Sequence, residues 1–209
     1  MKYKIKFIAA CVLIISLFAC TFKSKPSGIM SGAWDGNTFT NEWANIKLTL
    51  PEDWIVVPEE QIQKFTDMSE QNADNLTEED GITKEDIENL HSLSVRDFMV
   101  LSKNGPAVLL AEYVDYSSFS ASFQMTAEHF LNGKKEFSEK NGVEFVELPS
   151  VIIAGEKYLT AVSHSPDLPT DSQVFVRVFD GAIINFHAIY PPELKQDIDA
   201  LIASIEEAH

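Results

Sequence analysis

The sequence predicts an α+β fold, an α/β/α sandwich whose largely antiparallel central sheet is covered by helices. Three observations predict it. From Arg96 to Tyr190, apolar segments of strand length follow one another with turn residues between them. Helical periodicity is confined to the beginning, middle and end of the chain, where parallel βαβ units would alternate it with strands. The chain is also 45% hydrophobic and 11% aromatic over 209 residues, a composition that supports a substantial core and not disorder.

The folded part is expected over residues 33–209 as one domain, because the β pattern runs unbroken to Tyr190. It opens with the aromatic-rich stretch Trp34 to Trp43, and then Ile46, Leu48 and Leu50 alternate with Lys47 and Thr49 as a half-buried strand that Pro51 ends. An acidic segment follows at about 52–90, in which Ile62, Phe65 and Met68 outline a short amphipathic helix and Thr83 with Glu85 and Asp86 starts a second. Arg96–Ser102 and Ala107–Tyr116 flank Lys103-Asn104-Gly105-Pro106 and form a hairpin.

Ala127, Phe130, Leu131 and Phe137 share one helical stripe, with Thr126 as N-cap and Asn141-Gly142 as the stop. Strands are expected at 143–148, 151–154, 158–163, 174–180 and 182–190, the last two joined by a tight turn at Asp180-Gly181. Pro191-Pro192 then breaks the sheet. Leu194, Ile198, Leu201, Ile202 and Ile205 recur at helical spacing and mark a closing amphipathic helix.

The first 19 residues read as a signal peptide: Lys2, Lys4 and Lys6, then an apolar run up to Ala19. The uncharged stretch from Phe7 to Phe22 has 16 residues, which as helix reach about 24 Å against a bilayer core of about 30 Å. That length argues against a permanent span. Residues 20–32, rich in small and turn-forming types, read as a flexible tether with a reach near 20 Å. Removing the three leader lysines takes the formal charge from −16 to −19. Such a chain is a poor partner for nucleic acid, whose binding draws on Lys and Arg, and is repelled by anionic lipid.

Leu17-Phe18-Ala19-Cys20 resembles the lipobox of bacterial lipoproteins, with Phe18 bulkier than the residue usual there. The resemblance implies that Cys20 carries the lipid as a thioether, palmitate among its acyl chains, after cleavage just before it. Two or more acyl chains hold a protein on its membrane, where one alone is marginal. With Cys11 lost and Cys20 modified, disulfides and thiolate chemistry have no residue left.

The body of the chain resembles the PsbP-like α/β/α sandwich group, in particular its extracytoplasmic bacterial lipoproteins of unknown function. Trp34-x-Gly36-x-x-Phe39-x-Asn41-x-Trp43, the strand at 46–50, the Pro51-Glu52-Asp53-Trp54 corner, the central helix and the terminal strand-then-helix ending Leu201-Ile202-Ala203-Ser204-Ile205 carry it. Asp53 stands where such proteins tend to have Gly. The resemblance implies an accessory or binding protein on the outer face of the cell membrane, of the Gram-positive type.

No residue is assigned a catalytic, cofactor-binding or metal-binding role. The histidines at 91, 129, 164, 187 and 209 lack the close spacing of a zinc motif. His164, in a polar loop beside Asp167, is the most site-like, and His187, between Phe186 and Ala188 on a strand, reads as structural. Neither a nucleophile elbow nor a Ser-x-x-Lys pair nor a phosphate-binding glycine loop occurs. Glu78-Glu79-Asp80-Gly81 does not fit an EF-hand, because the first and twelfth loop positions would be Leu76 and Ile87. Trp34, Phe39, Trp43 and Trp54 read first as packing around the opening strand, and otherwise as an exposed anchor for a protein or carbohydrate.

The expectation is therefore a membrane-anchored extracytoplasmic lipoprotein, non-catalytic, binding an envelope protein or wall component. The alternatives are a hydrolase acting on envelope material through an acidic pair, and a calcium-responsive module.

Overall fold

The computed structural model describes residues 28–62, 94–116 and 125–209. The described residues fall into two compact units, 57–62 with 94–95, and Gly28–Val56 with Arg96–His209. In the first, Pro58 starts a helical turn over 59–62: the Gln61 and Ile62 amides donate to its carbonyl at 2.8 and 3.1 Å. Proline suits this place, since its own missing N–H costs a helix start nothing.

The larger unit departs from the expected sandwich. Its framework is two sheets, not one sheet covered by helices. The strands in chain order are β1 (Ala33–Asp35), β2 (Thr38–Asn41), β3 (Ile46–Thr49), β4 (Trp54–Val56), β5 (Ser94–Ser102), β6 (Val108–Asp115), β7 (Glu144–Ile153), β8 (Glu156–His164), β9 (Asp171–Phe179), β10 (Ala182–Tyr190) and β11 (Ile205–Glu206). The large sheet has the order β4-β5-β6-β10-β9-β8-β7, and the small one β1-β2-β3-β11. Among the described residues, the α-helices α1 (Ala127–Lys140) and α2 (Lys195–Ala203) complete the unit.

Hairpins join the large sheet. Ser102 N–H donates to the Ala107 carbonyl at 2.9 Å to close β5 on β6. Asp180 and Gly181, with φ of 49° and 76°, supply the two left-handed residues that a tight β9–β10 turn needs. The expected strands at 143–148 and 151–154 are one strand, β7, whose register shifts between Leu148 and Val151, around Pro149.

The small sheet explains why the single-sheet sandwich fails. Trp34 to Asn41 does not lead into the large sheet but folds back as the β1–β2 hairpin, with Phe39 opposite Leu48 of β3. The closing helix is also shorter than its periodicity suggests. It ends at Ala203, where Ser204 Oγ donates to the Leu201 carbonyl, and Ile205 pairs with Leu48 as β11. Ile205 is buried as a strand residue, so its apolar character fits the helical spacing without requiring a helix there.

Aromatic rings join the two sheets. Phe39 meets Phe98 with centroids 4.7 Å apart, and Trp43 meets Tyr113 at 5.4 Å and Phe179 at 5.5 Å. α2 contacts β10 and β11, while α1 contacts β7, β8 and β9. As expected, Thr126 caps α1, its Oγ1 accepting from the His129 amide at 3.2 Å.

Candidate functional site

The face of the large sheet under α1 is where the sequence places charge inside the core. Register sets Leu159, Val176, Asn185 and Glu112 in one row across β8, β9, β10 and β6, and Ala161, Val174, His187 and Leu110 in the next. Glu112 is 1% exposed and Asn185 is fully buried. Among the described residues, neither amide atom of Asn185 has a hydrogen-bond partner, nor has Glu112 Oε1. Burial pushes the Glu112 carboxyl up to about 8, with the Arg96 and Lys134 cations pulling it back. It is therefore protonated at neutral pH.

Lys134 reaches this cluster from α1, its Nζ 5.2 Å from the Phe130 ring centroid, and burial lowers its ammonium to about 8. His187 is driven down to about 3, first by burial and then by Lys134 and Arg96. Its ring is neutral, and its Nε2 shares a 2.7 Å hydrogen bond with Ser172 Oγ. His187 is buried within β10. Glu112 and Asn185 escaped sequence reasoning, although a signal existed: each is a polar residue inside a largely apolar strand.

The opposite face carries a second network where the chain enters the fold. Asp97 accepts from Tyr113 Oη at 2.7 Å, from Asn41 Nδ2 at 2.8 Å and from the Gly32 amide at 2.8 Å. Asn41 Nδ2 also donates to the Met30 carbonyl, and its Oδ1 accepts from the Ala44 amide. Gly32 is required here, since a Cβ would meet the Phe39 ring and the Thr40 carbonyl. Burial and Asp97 together hold the Tyr113 hydroxyl well above its usual range.

The aromatic group of the N-terminal region packs inward. Phe39 and Trp54 are buried and Trp34 and Trp43 half-buried, with Trp34 against Phe39 and Phe98. His164 sits at the end of β8, its Nδ1 2.8 Å from Asp171 Oδ1, so strand register selects Asp171 and not the loop residue Asp167. His129 is exposed on α1. Cys20, His91, Glu78, Glu79, Asp80 and Gly81 lie outside the described residues.

On the surface, an open depression of about 300 Å³ beside the start of α1 is lined by Leu159, Val176 and Val178 together with Glu128, Glu156, Lys157 and Arg177. Among the described residues no three His, Cys, Asp or Glu side chains gather as a metal site would require, and no helix is long and apolar enough to cross a membrane.

Several solved structures are similar to this chain. The chain is similar to cyanobacterial PsbP (CyanoP) from Synechocystis sp. PCC 6803, with 12% identity, 88% of this chain and 97% of that one covered, and a TM-score of 0.46. It is also similar to LpqN of Mycobacterium tuberculosis, a protein involved in cell envelope biogenesis, with 12% identity, 77% and 83% coverage and a TM-score of 0.40. At these values neither likeness assigns a function. No known protein family matches the chain, and no curated protein does.

Proposed function

We propose that this chain is a lipoprotein held by Cys20 on the extracytoplasmic face of the cell membrane, where it acts as a non-catalytic binding or accessory module. The observation that carries the reading is the leader: three lysines, an apolar run too short to span, and Leu17-Phe18-Ala19-Cys20 directly before a tether. The non-catalytic part is supported by the position of Glu112. Its carboxyl is raised as a general acid's would be, but it is 1% exposed and faces cations. A glycosidase pair requires a second carboxyl about 5 to 9 Å away across an open cleft.

The test is made on living cells. A fatty-acid analogue is expected to label the wild type and not Cys20→Ala, and cross-linking of the anchored protein is expected to recover a discrete envelope partner that an unrelated lipoprotein does not. Equal labelling of both proteins would remove the anchor. Hydrolysis of wall material by the purified protein, abolished by single carboxylate substitutions, would replace the binding role with an enzymatic one.

A further inference from the structure

The strands at the margins of the two sheets are unequal. Among the described residues, β1 and β4 have three residues each and β11 two, whereas β7 runs for ten with β8 on one side only. Short edges offer a passing chain little ladder, and a long edge offers a row of free N–H and C=O groups. Val146 and Ile152 of β7 are 41% and 69% exposed. Pro149, which has no N–H, and the register shift beside it divide the strand. The continuous part is Glu144–Leu148, in unbroken register with β8 from His164 back to Thr160.

That part carries Glu144 and Glu147 and no base. Glu144, Val146 and Leu148 share one face, and Phe145 and Glu147 the other. A second copy would bring the same carboxylates and another −16 charge to this edge, and like charges placed opposite each other on paired strands repel. The acids therefore disfavour self-pairing and favour an extended segment with Lys or Arg among apolar residues.

We propose that Glu144–Leu148 is a docking edge to which a basic and apolar extended segment of a partner protein adds as a further strand of the large sheet. The proposal rests on the binding role given above and supplies its surface and the chemistry of its partner. Main-chain hydrogen bonds hold the added strand, Val146 packs against its apolar side chains, and Glu144 and Glu147 select its charge.

The probe is a blocked octapeptide of alternating Lys and Val, with a Glu and Val counterpart as control, read by amide hydrogen exchange of the full-length protein. The basic peptide is expected to slow exchange over 144–148 by about tenfold, and the acidic one to leave it unchanged. Because both acids are exposed, the double variant Glu144→Lys, Glu147→Lys keeps the fold and is expected to reverse the preference. Absence of protection at 144–148, protection indifferent to the reversal, or a β7-dependent homodimer in sedimentation each overturns the edge. If no peptide binds while cell-surface cross-linking still recovers a partner, the edge fails and the binding role stands; if both fail, neither survives.

Discussion

Glu112→Gln is expected to remove a loss of stability that the wild type shows between pH 6.5 and 8. The folded carboxyl titrates at about 8 against an ordinary 4.5, so between these values the folded state keeps a proton that the unfolded chain has released. Stability therefore falls as pH rises through that window. His187 works in the other direction. Its pKa is lowered from 6.5 to about 3, so its contribution is lost as pH falls below 6.5 and opposes that of Glu112 between 4.5 and 6.5. Lys134, lowered from 10.5 to about 8, adds stability with rising pH only above 8. That leaves 6.5 to 8 to Glu112, where one proton over this span is worth on the order of 2 kcal/mol. Gln reproduces the shape of the neutral acid without titrating. Denaturant unfolding of both proteins at pH 6.5, 7 and 8 makes the comparison, and parallel curves would mean that Glu112 is ionised in the fold.

Asn41→Ala is expected to destabilise the protein by about 3 kcal/mol. The substitution strips Asp97 of one donor and leaves the Met30 carbonyl and the buried Ala44 amide without their partner. In a chain of this length that lowers the thermal midpoint by roughly 6–12 °C. Tyr113→Phe removes only one hydroxyl from Asp97 and is expected to cost about half as much. Calorimetry ranks the two, and faster exchange of the Gly32 amide in Asn41→Ala would place the loss at this network. Equal midpoints for wild type and Asn41→Ala would show that Asp97 holds the segment without it.

The long strands were legible in the sequence because apolar runs of eight or nine residues bounded by turn residues leave a strong signal, as in β6 and β10. The small sheet was not. β1, β2 and β11 have three, four and two residues, too few for a period to emerge, and only their pairing to β3 makes them strands. The candidate sites divide the same way. His187 could be read as structural from its apolar neighbours, whereas the partner of His164 depends on the β8–β9 register and not on nearness in sequence. The link between Asn185 and Glu112 spans 73 positions and becomes visible only once β6 and β10 lie side by side.

The clasp formed by Asn41, Asp97 and Gly32 also decides how this molecule bears tension. Anchored as proposed and held by a partner elsewhere, the chain would be pulled at residue 28. The load reaches the Met30 carbonyl and the Gly32 amide before it reaches the first rung of the β1–β2 ladder, Ala33 with Thr40. The ladder alone would yield like a zip, one rung after another. With the clasp in front of it, the hydrogen bonds to the Asp97 carboxylate and from the Asn41 amide must give together, so the pull meets several bonds in parallel at the point where the fold begins.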